Sequence, residues 1–313
     1  MAMLLVEGST PCWARRVVGA MTCQVKPPGF WTGYRAPMQT HQAHMRNVGE
    51  QLRGWRQRRR LSQLDLAGLA GISPRHLSFV ETGRSLPSRA MLLRLSDRLE
   101  VPLRERNTLF IAAGYAPVYS ERRIDDPTLE QARRAVELVL RGHEPYPALA
   151  VDRHWQLQAA NRALAPLLEG VSPALLEAPV NVLRLSLHPD GVAPRIANLG
   201  QWRAHLLHRL RQQIEATGDS TLQALLDELA AYPAPACDQA HEPQEPNAVI
   251  VPLRIRTALG ELSFLSTTTV FGTPVEVTLS ELAIESFFPA DARTGELLRT
   301  AAAAMPAGPG PAD

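Results

Sequence analysis

Residues 61–88, LSQLDLAGLAGISPRHLSFVETGRSLPS, decide how the first folded part of the chain reads. Ser62 stands where a helix N-cap belongs, and Asp65, three residues on, completes an acidic variant of the capping box. Leu64, Leu66, Ala67, Leu69 and Ala70 supply the apolar face of that helix. Gly71 ends it, because glycine accepts the left-handed conformation a tight turn needs. Ile72 plugs the turn and Ser73 caps the next helix. Pro74 takes that helix's first position, where a missing N–H costs nothing. Leu77 and Val80 then face inward until Gly83 closes the helix. Two short helices joined by a glycine turn form a helix-turn-helix arrangement.

The helical pattern extends to both sides. Upstream, Val48, Leu52, Trp55 and Arg56 share one helix face, and Arg53, Arg58, Arg59 and Arg60 surround it. Downstream, Ser88 caps a fourth helix with Met91, Leu92, Leu95 and Leu99 on its apolar side, and a fifth helix covers 104–113 before Gly114 and Pro117. Residues 45–117 therefore read as an all-α, five-helix domain. Residues 46–117 hold 13 basic and 6 acidic side chains, net +7, whereas 118–313 hold 16 and 24, net −8. A basic block beside an acidic remainder directs a polyanion to the block alone.

The 61–88 stretch is similar to the Xre/Cro family of regulators, most specifically from Gln63 to Gly83. The resemblance implies that the second helix-turn-helix helix enters the major groove of double-stranded DNA. Ser73, Arg75 and Ser78 are then the outward base-facing candidates, with Arg75 suited to bidentate contact with guanine. Gln63 matches the family's phosphate-fixing glutamine, and Arg58, Arg59 and Arg60 add phosphate contacts that position without reading sequence. Arg56 and Glu81 match an internal ion pair. Pro74 and Phe79 depart from the family's polar base readers: Pro74 has no N–H to donate, and Phe79 either touches a thymine methyl or packs. One such small domain contacts few base pairs, which favours a homodimer on a palindromic operator.

Outside this domain the reading is less local. Residues 1–44, with Pro and Gly among polar residues, read as a disordered extension, with Met38 and Met45 as alternative starts. Arg15 and Arg16 follow a short apolar stretch instead of preceding it, the wrong order for a signal peptide. No apolar run is long enough to span a membrane. Cys12, Cys23 and Cys237 form no CxxC pair, which favours a reducing, cytoplasmic setting. Residues 121–142 read as a helix within a connecting segment, 118–147. Residues 148–151 and 155–159 read as a hairpin around Asp152 and Arg153, and Asn161 as the cap of a helix ending at Leu168. Helices follow at 202–217 and 220–232, then a Pro-rich loop at 233–246. Strands follow at 249–257, 262–271 and 275–288, the last one long or split by a bulge. Consecutive strands without intervening helices should pair antiparallel. Residues 293–313 read as a C-terminal tail, expected to be unstructured from Ala301 onward, where the chain ends in GPGPAD.

Two early strands, a helical middle and three final strands describe a PAS-like α/β sheet over 148–292, so the chain is α+β overall. DRHWQLQAANRA, NVLRLSLHP and the final strands resemble the ligand-binding domain of MmyB-like regulators, across about 120–292. The resemblance implies an apolar, fatty-acid-like ligand. Arg184, His188, Arg195, Asn198, Trp202 and Arg203 cluster in sequence, where an arginine suits a carboxylate and Trp202 an apolar wall. The alternative makes Trp155 and Trp202 core and the arginines surface, leaving a dimerisation or protein-interaction module without a ligand. No cofactor or metal is expected. His205 and His208 share a helix face but lack a third ligand, and GxGxxG, GxxxxGK and GxSxG are absent, which speaks against an enzyme.

Overall fold

The computed structural model describes residues 47–233, 250–272 and 274–304. The expected extension over 1–44, most of the Pro-rich loop and the GPGPAD end lie outside the described residues.

Five helices build the N-terminal domain: α1 (Val48–Arg58), α2 (Gln63–Ala70), α3 (Pro74–Glu81), α4 (Arg89–Arg98) and α5 (Leu103–Ala112). The capping box forms as read: Ser62 Oγ accepts from Asp65 N while the Asp65 carboxylate accepts from Ser62 N. Ser73 Oγ and Ser88 Oγ cap α3 and α4. Gly71 adopts φ +65° at the α2–α3 turn. Leu52, Leu66, Leu77, Leu92, Leu95 and Phe110 are fully buried between the helices. Gly49 allows α1 to cross α3 closely, since a Cβ there would lie 2.2 Å from the Val80 carbonyl oxygen.

The C-terminal domain wraps helices around an antiparallel five-stranded sheet, β1 (Ala148–Val151), β2 (Leu157–Ala160), β3 (Leu253–Thr257), β4 (Gly260–Val270) and β5 (Ala283–Pro289), ordered β2-β1-β5-β4-β3. Side chains alternate across it. Ala148, Ala150 and Ile284 face α6 (Glu130–Gly142), meeting Val136 and Leu140. Leu149, Val151, Ile255 and Phe264 face the other layer, made by α7 (Val182–Leu187), α8 (Leu199–Thr217), α9 (Ser220–Ala231) and short 3₁₀ turns.

Four expectations need correction. Regular helix begins at Glu130 and not at 121: Pro127 disfavours helical conformation at Asp126, whose carboxylate instead caps a 3₁₀ turn at Thr128 N. Asn161 stands before a helix ending at Leu168, but its side chain does not cap it. Its amide donates to the Leu140 and Tyr146 carbonyls and accepts from Ala148 N, stapling α6 to β1, and the following turn is 3₁₀ around Pro166. Residues 275–288 are not one strand. The buried Glu276 carboxylate accepts from Leu279 N and Arg122 N, which folds α10 (Val277–Ser280) before β5 starts. The stretch from 293 is not a tail up to residue 304, because α11 (Ala292–Ala304) packs Leu298 into the core and Thr294 Oγ1 accepts from Ser263 N.

Candidate DNA-binding face and ligand cavity

On the helical domain, α3 presents Ser73 and Arg75 to solvent, with Ser78 half-buried. The Arg75 guanidinium lies 5.4 Å from the Phe79 ring centroid and Arg84 lies 5.9 Å from it, so Phe79 sits between two cations on the exposed face. Gln63, at the first turn of α2, donates from Nε2 to Glu81 Oε2 at 2.8 Å. That glutamate receives the bidentate Arg56 pair, at 2.7 and 2.9 Å, and Arg56 also donates to the Leu61 carbonyl. Arg56 and Glu81 are 9% and 5% exposed, so the pair ties α1 to α3 inside the fold. Arg58 packs against Trp55 and Gly218, and Arg59 donates to the Leu99 and Glu100 carbonyls at the end of α4. Arg60 is exposed, with φ +55° just beyond α1.

In the C-terminal domain a cavity of about 100 Å³ lies between α8, α7 and the sheet. Its wall is mostly Leu, Val, Ile, Phe and Trp, and its charged lining side chains among the described residues are Arg209 and Glu285. Of the six residues that cluster in sequence, Trp202 reaches this wall. Its indole donates to Ser186 Oγ at 2.9 Å, and its ring stacks on His205 at 5.4 Å. The other five do not line the cavity, and each is engaged elsewhere. Arg184 clamps Glu228 at 2.7 Å through both Nε and Nη2, joining α7 to α9. His188 Nδ1 accepts from Asp190 N, with its ring edge-on to Tyr232. Arg195 donates to the Leu167 carbonyl, and Arg203 to the Ala230 carbonyl at the end of α9. Asn198 binds the Pro252 carbonyl and Arg254 N. His205 is pushed below its ordinary value by burial and by Arg209 and His208 beside it. No cluster of three metal-ligating groups occurs among the described residues.

The sequence reading missed the polar groups that do reach the cavity. Arg209 grips Glu285 at 2.5 and 3.1 Å, and lies 4.7 Å from the Trp155 ring centroid. Helix periodicity held a signal, since Trp202, Leu206 and Arg209 share the face of α8 that meets the sheet. Strand alternation held another, since Glu285 and Phe287 share a face of β5.

Also missed was the contact between domains. Arg104 of α5 donates to both Glu281 carboxylate oxygens at 2.8 Å and to Glu121. Arg153, in the β1–β2 turn, lies 3.6 Å from Glu281, 3.8 Å from Asp219 and 4.0 Å from Glu105. Burial raises the Glu105 carboxyl above the usual range, Arg153 opposing. Burial also acts to raise Asp219, but its hydrogen bond from His154 Nε2 at 2.8 Å dominates with other partners and holds it well below that range. A cleft of about 370 Å³ runs along this contact. Next to Arg153, Trp155 has φ +63°. It donates from its indole to Gln213 Oε1 at 2.8 Å, and Gln213 Nε2 donates back to the Arg153 carbonyl at 2.8 Å.

Residues 47–109 match the family model of a helix-turn-helix domain, and residues 132–301, more than half of the chain, match the MmyB-like transcription regulator ligand binding domain. The chain belongs to the MmyB-like transcription regulators. No curated protein matches the regulator's sequence. The matched regions divide its functions: the exposed face of α3 lies in the helix-turn-helix match, and the cavity lies in the ligand-binding match. No described helix of the regulator is long and apolar enough to cross a membrane.

Proposed function

We propose that this regulator, acting in the cytoplasm as a homodimer, reads a palindromic operator with α3 and changes its grip when an apolar, fatty-acid-like molecule fills the cavity under α8. In this reading the helical domain is of Xre type and the sheet is PAS-like. Arg75 reads a base, Ser73 and Ser78 flank it, and Gln63 and Arg60 hold phosphates. The supporting observation is that a chain of hydrogen bonds links the cavity to the domain contact. Trp155 lines the cavity, Gln213 joins its indole to Arg153, and Arg153 stands among Glu105, Asp219 and Glu281. The free space, about 100 Å³, is smaller than the ~150 Å³ cavity that admits benzene. An acyl chain therefore has to push α8 away from the sheet, and α8 carries Gln213 and Thr217 to the interdomain cleft. A ligand moves such an equilibrium only by preferring one arrangement, typically by about 1–3 kcal/mol.

The test pairs native mass spectrometry with fluorescence anisotropy on an operator selected from random duplexes. A lipid adduct and an operator affinity that changes by about 5–150-fold with that lipid are expected. Leu206→Trp fills the cavity and should abolish both adduct and response while leaving operator binding intact. An adduct-free dimer whose affinity ignores every lipid tried would overturn the reading in favour of a dimerisation or interaction module.

A further inference from the structure

The cavity's polar end restricts the chemistry of the ligand's head, on the reading that the cavity takes an acyl-sized apolar molecule. Its cation is already paired. Arg209 Nη2 and Nη1 donate to Glu285 Oε1 and Oε2 at 2.5 and 3.1 Å. Thr268 locks the same bridge, accepting from Arg209 Nη2 at 2.6 Å and donating to Glu285 Oε1 at 2.9 Å. Glu285 is only 4% exposed and sits on a strand bonded to neighbours on both sides, so it cannot swing out to solvent.

A ligand carboxylate arriving here has two choices. It can displace Glu285, which leaves a buried carboxylate without its counter-ion, a strongly unfavourable state. It can instead share Arg209, which places two anions on one guanidinium beside an apolar wall that screens them poorly. His205, near Arg209, is a poor second cation: its ring stacks on Trp202, and burial, Arg209 and His208 push it below its ordinary value. Neutral partners are present. Ser186 accepts the Trp202 indole proton and so retains its own O–H for donation, and Ser266 lines the same cavity.

We propose that, within the fatty-acid-like class, the cavity selects an apolar chain ending in an uncharged polar head, such as an alcohol, amide or ester, and discriminates against the free carboxylate through the Arg209–Glu285 pair. Glu285 is the specificity-determining residue. Removing its charge while keeping its shape converts Arg209 into an open carboxylate site.

The experiment measures binding of decanol, decanamide and decanoate to the full-length protein near neutral pH, by calorimetry and by native mass spectrometry. Decanol and decanamide should bind at least about tenfold more tightly than decanoate. In Glu285→Gln the order should reverse through a gain for decanoate, with decanol little changed. Decanoate binding as tightly as the neutral probes to the wild-type protein overturns the inference, and this comparison stands even if the variant fails to fold. A folded Glu285→Gln protein with an unchanged preference overturns the role of Glu285. If none of the three probes binds, the cavity reading itself falls, a result distinct from a carboxylate preference.

Discussion

Replacing Glu81 by alanine tests the helical domain at the point where the two helices of its helix-turn-helix are tied together. The carboxylate takes two hydrogen bonds from Arg56 and one from Gln63, at 2.7, 2.9 and 2.8 Å, with only 1% of its side chain exposed. Its removal leaves the Arg56 guanidinium, 11% exposed, with the Leu61 carbonyl as its remaining partner. Breaking one side of a buried pair costs about 3–5 kcal/mol. A domain of this size holds roughly 3–10 kcal/mol in total at ~0.05–0.15 kcal/mol per residue. At about 4–8 °C per kcal/mol the melting point of this domain should fall by at least ~12 °C. Calorimetry of the full chain measures the fall, and hydrogen exchange on peptides from α1 to α3 assigns it to this domain. Replacing both partners with apolar residues, Arg56→Met with Glu81→Leu, should recover most of the loss because no buried charge is left alone. A single-variant cost below about 1 kcal/mol, or a double variant as unstable as the single one, would refute the reasoning.

Arg75→Ala should weaken operator binding by roughly 1–3 kcal/mol and relax one base position, and an unchanged preferred site in a selection experiment would remove Arg75 from base reading. Gly218 has φ +68°, and a Cβ there would lie 2.2 Å from Arg58 Nη2. Gly218→Ala should cost about 1–2 kcal/mol of conformational strain and displace Arg58 from the interdomain contact, raising hydrogen exchange at the end of α1; a variant as stable as the parent would argue against that contact. Asp219 is ionised in the folded protein well below the usual carboxylate range, so its stabilising effect is full above the unfolded value of about 3.9 and fades as pH falls through the lower folded value. The stability gap between wild type and Asp219→Asn should thus persist from neutral pH to about pH 5 and close only below about pH 4, as followed by urea denaturation; a gap closing near neutrality would contradict the assignment.

The helical domain was legible because its signals are local. The Ser62–Asp65 box, Gly71 and Pro74 each act within a few residues and formed as read, and Leu66, Ala67 and Ala70 are buried, whereas Leu64 and Leu69 of the expected apolar face are exposed. The antiparallel pairing of the last strands was legible for the same reason. What escaped depends on distant partners. Residues 275–288 have the composition of a strand, yet Glu276 is drawn into a cap by Arg122, 154 positions away. Asn161 has the look of a cap but finds better partners at Leu140 and Tyr146. Arg184, Arg195 and Arg203 were grouped because they are close in sequence, whereas their side chains leave α7, the following turn and α8 in different directions. Arg209 and Glu285 are 76 positions apart, and only the folded sheet brings them together.

The Arg104–Glu281 contact bears on how interchangeable the two halves of this regulator are. A hybrid made by cutting at the segment between the domains and attaching a foreign DNA-reading head would keep the cavity but discard Arg104 and Glu105, the head's side of the ionic contact. Glu281 lies only four residues before Glu285 and two before β5 starts, and β5 is hydrogen-bonded to both neighbours, so the cavity wall and the docking contact travel together. Such a hybrid should bind its molecule and its DNA as two strangers on one chain. Responsiveness would transfer only to heads that bring a guanidinium to the position Arg104 occupies.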